Sequence, residues 1–433
     1  MSILGSLNRE QKEAVGLLQI GTFLEYFDLM LYVHMAVLLN ELFFPKTDPH
    51  TTSLVVAFAF CSTWVFRPFG ALIFGYIGDN IGRKTTVIIT TMMMSVSCVV
   101  MATLPTYAQI GITATLVMTV CRIVQGLSSM GECIGSEIYI TEITKPPVQY
   151  PAAAFVGVAS AIGAMAALGI ATLVTKMGMN WRTAFWIGAG IAVIGSVART
   201  RLRETPDFLL EKSKKTKTLQ LGHVKKTISK QTMLAYFFIG CGWPMSFYIG
   251  YIYFNPTLRD FGYTPEDVIS HNFFLSIIVV VTFFILALMS YKKHPLLILK
   301  IRGFVFLLFT ACLPFLIIVS KNPWQIGLLQ TILLIFSLSG IPSAAVMIKH
   351  FPVLRRFMAT SFLYAATRAI MYIVTSFGLV YLTDWFGHYG LWVIMLPITC
   401  CFLWGIHHFE KLEGLQPDKS SKPLDNRIHG QAA

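Results

Sequence analysis

Charged residues are scarce in this chain of 433 residues. Only 13% of the residues are Asp, Glu, Lys or Arg, whereas soluble globular proteins carry about 25%. Hydrophobic residues make up 55% of the chain, and the mean hydropathy is +0.65. A large soluble enzyme needs far more polar surface than this composition supplies. The scarcity of charge therefore predicts a protein that crosses a membrane many times.

Several kinds of motif are missing as well. The eight cysteines all fall in apolar stretches, so they indicate neither a disulfide framework nor a zinc site. The sequence contains no two-histidine metal motif, no phosphate-binding loop and no nucleophile with an evident base. The first residues, MSILGSLNREQKEA, are polar and lack a cleavable signal pattern. These features argue against an enzyme and predict no bound metal or organic cofactor.

Apolar stretches of about 20 residues recur along the chain, and this is the length that a helix needs to cross a bilayer. They lie near positions 14–38, 53–77, 84–104, 112–136, 152–175, 183–199, 232–254, 271–290, 301–320, 326–347, 358–382 and 388–408. The pattern predicts an all-α polytopic membrane protein with about twelve transmembrane helices. We expect two related six-helix bundles around a central cavity.

A polar and basic interruption separates the first six spans from the last six. We predict an N-terminal bundle over 1–199, a linker over 200–231, a C-terminal bundle over 232–409 and a polar tail over 410–433. The linker is rich in lysine and arginine, so it is expected to lie on anionic lipid at the cytoplasmic surface.

The net charge of +13 would suggest a nucleic-acid partner in a soluble protein. Here the basic residues concentrate in the loops on one side of the predicted spans, and such asymmetry sets membrane orientation. That set of loops holds Arg83, Lys84, Lys145, Lys292, Lys293, Lys300, Arg302, Lys349, Arg355 and Arg356. The opposite set holds only Lys46, Lys176, Arg182, Arg259 and Lys321. We therefore expect no nucleic-acid partner, and we predict that the basic loops and both termini face the cytoplasm.

The stretch 66–84 reads FRPFGALIFGYIGDNIGRK and ends in a short loop with one acid and two bases. Its spacing G-x-x-x-D-x-x-G-R-K is formed by Gly75, Asp79, Gly82, Arg83 and Lys84. This spacing resembles the loop between helices two and three of the major facilitator superfamily. The preceding RPFG resembles the metabolite:proton symporter branch, which includes proline/betaine, ketoglutarate, citrate and shikimate carriers. The resemblance implies a cytoplasmic gate, in which we include Arg67; the alternative for Arg67 is snorkelling or a fixed interhelical pair.

Acidic residues inside predicted spans normally face protein or water, because a charge in the bilayer is costly. The first helix reads GTFLEYFDLMLY, and the spacing of Glu25 and Asp28 places both on one helix face. Two carboxyls so close favour a bound proton on one of them; the alternative is a pair of interhelical hydrogen bonds. We predict Asp28 as the proton-coupling residue, titrating together with Glu25. Glu132 and Glu137 are grouped with them but are expected nearer the cytoplasm, where they help to close that side.

The fourth span reads RIVQGLSSMGECIGSEIYITE and resembles the superfamily's R-x-x-Q-G signature through Arg122 and Gln125. Gly131, Glu132, Gly135 and Tyr139 fit the same branch, and we include Gln125 and Tyr139 among the residues predicted to bind substrate. Arg122 either binds a substrate carboxylate or forms a structural ion pair with Glu25 or Asp28. Arg368 is the only evident charge deep in the second half, and the same two alternatives apply to it.

Aromatic residues crowd the seventh span, FFIGCGWPMSFYIGYIYF. Trp243 and Tyr248 are predicted to contact substrate, since aromatic faces attract organic cations. Tyr251 and its neighbours towards the outer end fit an interfacial aromatic belt instead. Pro244 is expected to interrupt the helix, and His34 in the first span is expected to be a packing residue.

The resemblance covers nearly all of the N-terminal half, whereas the second half matches only weakly, for example at FPVLRRF (351–357). It implies a secondary active transporter that couples proton symport to import of a small polar metabolite by alternating access. Cavity charges of both signs favour an amino acid or betaine. The alternatives are an organic-acid carrier, an exporter or facilitator of a larger anion such as a siderophore, and a transport-dead sensor. We expect a monomer in the bacterial-type inner membrane, with lipid as its surroundings and the proton as its coupling ion.

Overall fold

The computed structural model describes residues 8–44, 49–80, 83–129, 132–200 and 228–415, although some helix side chains within these ranges are left undescribed. The helices of the first half are α1 (Arg9–Phe43), α2 (Pro49–Val65), α3 (Arg67–Asn80), α4 (Arg83–Thr103), α5 (Tyr107–Ile110), α6 (Ile112–Ser128), α7 (Glu132–Ile143), α8 (Gln149–Lys176) and α9 (Arg182–Thr200). Those of the second half are α10 (Lys230–Tyr248), α11 (Asn255–Asp260), α12 (Pro265–Met289), α13 (Pro295–Val319), α14 (Pro323–Ile335), α15 (Ala344–Ile348), α16 (Val353–Phe386) and α17 (Gly390–Leu412). A π-helix, Ile249–Tyr253, joins α10 to α11, and a 3₁₀ turn, Gly387–Tyr389, joins α16 to α17.

These helices form twelve membrane crossings, several of which are built from two consecutive helices. Two such crossings are α2 with α3 and α6 with α7, and a third is α14 with α15. Seven helical stretches of the described chain are long and apolar enough to cross a membrane by themselves. The predicted all-α polytopic fold is therefore confirmed, and the protein is an integral membrane protein.

Helices within each half pack closely because small residues let their backbones approach. In the first half α1 packs on α8 and α4 on α9, and in the second half α17 packs on α10 and α13. A side chain at Gly163 would overlap the carbonyl oxygen of Phe23, and one at Gly126 would overlap that of Thr63. The two halves meet along α8 with α12 and along α2 with α16. A cavity remains between these two seams.

The start of α1 and the end of α17 lie at the same end of the molecule, which we call the terminal end. There the Gln11 side-chain amide donates to the Ile143 carbonyl over 2.7 Å, and Lys349 pairs with Glu413 over 2.7 Å. Burial alone would raise the pKa of the Glu413 carboxyl, but hydrogen bonds from Lys349 and His350 outweigh it and lower that pKa. An ionised Glu413 thus anchors the end of α17 to the chain before α16.

Ion pairs join the two halves at both ends. At the terminal end Arg356 of α16 meets Glu142 of α7 over 2.8 Å. At the opposite end Arg259 pairs with Glu41 over 2.7 Å. His50 and Asp384 also meet there, over 2.9 Å. The two halves are therefore in contact on both sides of the central cavity.

Three local predictions are wrong. Helix α10 continues through Pro244 to Tyr248 and only then widens into a π-helix. The span predicted over 326–347 is not continuous, because helix is absent from Phe336 to Ser343 in the described chain. That stretch contains three serines, a glycine and a proline, all of which weaken a helix. Arg302, predicted in a basic loop, is instead buried inside α13, with 6% of its surface exposed.

The linker predicted over 200–231 lies outside the described residues except at its ends, and so does the tail beyond 415. The domain boundaries and the contact of the linker with lipid therefore stay predictions.

Candidate functional site

A cavity of about 130 Å³ lies between the two halves near the middle of the crossings. Its walls come from α1, α7 and α8 of the first half and, in the second half, from α10 with the π-helix, α12, α15, α16 and the segment between α14 and α15. Because about 10–15 Å³ is enough for one water, this cavity has room for a small metabolite.

Helix α1 turns an uncharged face to the cavity. Tyr26, Met30 and His34 line it, four residues apart and therefore on one helix face. Glu25 and Asp28 are buried, at 8% and 4% exposure, but neither lines the cavity. Asp28 lies against α9 instead, with one carboxylate oxygen 3.7 Å from the position that a Cβ on Gly188 would take. Their predicted role in proton coupling stays a prediction, now without direct contact with the cavity.

One acid and one base line the cavity from opposite halves. Glu137 projects from α7 and Arg368 from α16. Although both line the cavity, no nitrogen–oxygen pair between them comes within 4 Å, and no other described carboxylate pairs with Arg368. Glu137, expected nearer the cytoplasm, lines the cavity from a position six residues before Ile143, where α7 ends at the terminal end. The two charges remain apart and available to a ligand that carries both signs.

The side chain of Arg368 is held by its own helix. Its Nη1 donates to the Tyr364 carbonyl over 3.3 Å, and its Cζ lies 3.2 Å from the centre of the Tyr364 ring. The Tyr364 hydroxyl in turn lies 2.6 Å from the Tyr26 hydroxyl of α1, so this contact crosses between the halves. Stacking on the ring leaves the edge of the guanidinium free to hydrogen-bond a carboxylate.

Aromatic side chains form much of the remaining wall. Trp243, Phe247 and Tyr251 follow one face of α10 and the π-helix, and Tyr236 precedes them on α10. The Trp243 ring lies 5.3 Å from that of Phe283 on α12. Tyr251 is 3% exposed and lines the cavity, so its assignment to an interfacial belt is wrong. His34, expected only to pack, lines the cavity and lies 5.7 Å from the Tyr251 ring.

Arg122 lies outside the cavity lining and is 1% exposed. Its Nη1 donates to Gln125 Oε1 over 2.8 Å, and its Cζ lies 4.1 Å from the Tyr32 ring centre. It forms no ion pair with a described side chain, so the structure does not show the pair considered with Glu25 or Asp28. Gln125 reaches Cys98 Sγ over 3.6 Å. This group has the geometry of a structural cluster between α1, α4 and α6.

Tyr248 and Tyr139 also lie outside the cavity lining. The Tyr248 ring packs against Phe60 with centroids 5.3 Å apart. Tyr139 is half-buried on α7. Of the six residues predicted to bind substrate, Arg368 and Trp243 line the cavity.

The predicted gate falls mostly outside the described side chains. This applies to Gly75, Asp79, Gly82, Arg83 and Lys84, and also to Glu132, so their roles stay predictions. Arg67 is described: it is 1% exposed, and its Cζ lies 4.3 Å from the Trp64 ring centre. A buried side chain does not snorkel, and this contact lies within one crossing, so the role of Arg67 in a gate stays a prediction.

Several cavity residues were missed because they carry no charge or motif. Tyr26, Tyr236 and Tyr364 read as ordinary aromatic residues of apolar helices. The spacing of cavity residues from the charged ones was informative. Tyr364 precedes Arg368 by four residues, and Cys133 precedes Glu137 by four, so each pair shares a helix face. The cavity-lining residues Ser339, Gly340 and Ile341 carried a different signal, a polar and flexible stretch inside an apolar span.

Two helical bundles with a cavity between them, lined by aromatic side chains, one acid and one arginine, have the architecture of a membrane transporter. A family model described as the Major Facilitator Superfamily matches residues 18–376. The protein belongs to the major facilitator superfamily.

Curated relatives are named as metabolite carriers. The chain is 35% identical over 236 residues to the inner membrane metabolite transport protein YhjE of Escherichia coli K12, covering 51% of this chain and 53% of that protein. It is 30% identical over 204 residues to a proline/betaine transporter of Salmonella typhimurium, covering 46% of this chain and 41% of that protein. The aligned part thus spans about half the length of these relatives.

Solved structures share the architecture over almost the whole chain. The proton:xylose symporter XylE bound to 6-bromo-6-deoxy-D-glucose has a TM-score of 0.71 at 15% identity, covering 93% of this chain and 95% of that one. The human organic anion transporter MFSD10 has a TM-score of 0.68 at 14% identity, covering 93% of this chain and 100% of that one. At these identities the likeness shows the fold.

Proposed function

We propose that this protein is a proton-coupled symporter of a small zwitterion, an amino acid or a betaine, rather than an enzyme. The observation that carries the proposal is the placement of Arg368 and Glu137 in one cavity, unpaired with each other and flanked by aromatic rings. A cation and an anion held apart at membrane depth are costly unless a ligand or a proton compensates them. The named proline/betaine relatives support the same substrate class.

In the proposed binding mode the substrate contacts both the charged and the aromatic residues of the cavity. The substrate carboxylate binds the guanidinium of Arg368, which offers two parallel N–H donors. The ammonium or quaternary nitrogen lies over the faces of Trp243 and Tyr236, where cation–π attraction is strongest when water is excluded. The carboxyl of Glu137 then remains available for the coupling proton. A cavity of about 130 Å³ favours a small substrate over a siderophore-sized one.

Purified protein in proteoliposomes tests the proposal. We expect uptake of proline or glycine betaine above the external concentration when the outside is acidic, and loss of that accumulation when a protonophore collapses the gradient. Thermal stabilisation by the same ligands should accompany uptake, because a ligand stabilises the state it binds. Stabilisation without any uptake would indicate the transport-dead sensor instead.

A carrier of organic acids is the second candidate, because Arg368 can bind a carboxylate that has no accompanying cation. Competition separates the two. Citrate or ketoglutarate that blocks uptake, with proline and glycine betaine inert, would favour the organic-acid carrier.

Alternating access requires the two halves to part at one end while they stay joined at the other. We propose that Glu142 with Arg356 closes the terminal end, and that this end faces the cytoplasm of a bacterial-type inner membrane. The protein acts as a monomer in this proposal, with the basic linker on anionic lipid.

Glu142→Gln should weaken closure of the terminal end. Partly exposed ion pairs contribute up to about 1 kcal/mol, so the population open at that end should rise about fivefold. The measurement is alkylation of a cysteine introduced at the terminal mouth of the cavity. Lys300→Gln is the matched control, since Lys300 pairs with Glu410 within the second half only, over 2.9 Å. Equal alkylation rates in the two variants would show that the Glu142–Arg356 pair does not hold the halves together.

A further inference from the structure

The crossing formed by α14 and α15 is interrupted at the depth of the cavity. Helix is absent from Phe336 to Ser343 in this described stretch, so several backbone groups have no helical partner there. A peptide group without a hydrogen bond is expensive in a membrane interior, and such segments persist only where protein or a water-filled cavity satisfies them. Two neighbours supply these hydrogen bonds here.

The first neighbour is Arg302, two turns inside α13. Its Nη1 donates to Ser339 Oγ over 3.1 Å and to the Ile341 carbonyl over 3.3 Å. Its Nη2 donates to the Ile335 carbonyl over 3.2 Å and to Ser337 Oγ over 3.3 Å. A single planar guanidinium therefore holds alternate residues of the segment, a geometry that the compact ammonium of lysine cannot reproduce.

No described carboxylate pairs with Arg302, although the residue is 6% exposed. A buried cation without a counter-ion is costly, so a structural role alone would be met more cheaply by neutral donors. Its four acceptors all belong to the segment or to the residue just before it. The positive charge therefore lies directly behind the part of the segment that lines the cavity.

The second neighbour is α10. The peptide N–H of Leu338 donates to Ser246 Oγ over 3.2 Å. A side chain at Gly242 would overlap the carbonyl oxygen of Leu338, so α10 approaches the segment at backbone distance. The segment is thus fixed from two sides, by α13 and by α10.

The segment also forms part of the cavity wall. Ser339, Gly340 and Ile341 line the cavity. The peptide N–H groups of Gly340 and Ile341 donate to no described residue. Two adjacent N–H donors with an arginine behind them can both donate hydrogen bonds to one anionic oxygen.

We propose that Arg302 is a positioning residue that holds segment 336–343 so that the N–H groups of Gly340 and Ile341 bind the substrate's carboxylate. The inference rests on the proposed transport of a small zwitterion and adds a second carboxylate contact to that of Arg368. In this arrangement segment 336–343 recognises the carboxylate of the substrate and not its cationic group. Arg302 itself touches the segment and not the substrate.

The test compares glycine betaine with choline, which has the same quaternary ammonium group but no carboxylate. Purified wild-type protein should prefer glycine betaine, and Arg302→Met should lose about tenfold to a hundredfold of that preference, since hydrogen bonds to a charged group are lost. The weaker binding should appear as a higher KM for betaine uptake, with Vmax changed less. Arg302→Lys should be intermediate, because it keeps the charge but not the four contacts. Lys300→Met, two residues away on α13, is the matched control and should keep the wild-type preference.

A second variant guards against misfolding of Arg302→Met. At Gly340 a Cβ would meet only the Met347 side-chain methyl, at 3.5 Å, so Gly340→Ala fits the fold. Its methyl group stands beside the N–H donors and should weaken betaine binding several-fold, with choline binding unchanged. Gly190→Ala, with no atom within 4 Å of the new Cβ, is the control and should change neither.

Hydrogen–deuterium exchange reports on the segment without any substrate. Arg302→Met should speed exchange in 336–343 and leave α14 unchanged. Unchanged exchange together with an unchanged preference for glycine betaine would overturn this inference alone. Wild-type protein that binds neither proline nor glycine betaine would overturn the proposed function, and the carboxylate assignment with it.

Discussion

Arg368→Gln should lower the affinity for a carboxylate substrate by about a hundredfold. The guanidinium lines the cavity, stacks on Tyr364 and has no ion-pair partner among the described side chains, so its free donors are available to a ligand. Hydrogen bonds to a charged group contribute about 1.5–3 kcal/mol, and about 2.8 kcal/mol corresponds to a hundredfold change in Kd. Isothermal titration of proline or glycine betaine into detergent-purified protein measures the change. The loss should be in binding, with the thermal midpoint of the ligand-free protein within a few degrees of wild type.

Arg122→Gln is the informative comparison, since the sequence predicted both arginines as substrate ligands. Arg122 contacts Gln125 and the Tyr32 ring and does not line the cavity. Its replacement should lower the thermal midpoint and leave the Kd within about threefold of wild type, as expected when only packing and a hydrogen bond are lost. Equal losses of affinity in the two variants would contradict the division of roles that the geometry indicates.

The fold could be predicted from the sequence because membrane insertion imposes strong rules. A bilayer accepts apolar helices of about 20 residues and little else, so the positions of the crossings follow from hydropathy. Hydropathy did not predict the break in the crossing formed by α14 and α15. Its residues are apolar enough on average to read as one span, and the buried hydrogen bonds of Arg302 that satisfy the break come from another crossing.

The site was predicted less well because hydropathy does not say which face of a helix meets the cavity. The pair Glu25 and Asp28 was correctly placed on one face of α1, but the cavity face holds Tyr26, Met30 and His34. One residue corresponds to about 100° of helical turn, so Asp28 lies on nearly the opposite side from Tyr26. Only the packing of α1 against α8 and α9 decides which face turns inward.

Glu137→Gln should abolish substrate accumulation while substrate exchange continues. Of the described residues that line the cavity, Glu137 is the one with an acidic side chain. A coupling acid must exchange protons with each side in turn, and a position in the cavity wall between the rocking halves permits this. The carboxylate of a bound substrate neutralises Arg368, which shares the cavity, and thereby favours a protonated Glu137. Proton and substrate binding would then strengthen each other, which is the linkage that symport requires.

The measurement is paired assays in proteoliposomes, with uptake driven by a pH gradient and counterflow at equal pH on both sides. For Glu137→Gln we expect uptake to fall to the level reached with a protonophore and counterflow to stay near that of wild type. Asp28→Asn is assayed alongside it, because the sequence predicted Asp28 as the proton site. Accumulation lost in Asp28→Asn but retained in Glu137→Gln would return coupling to α1. Loss of counterflow in Glu137→Gln would instead show that its carboxylate holds the substrate's ammonium group, leaving Trp243 and Tyr236 as packing residues.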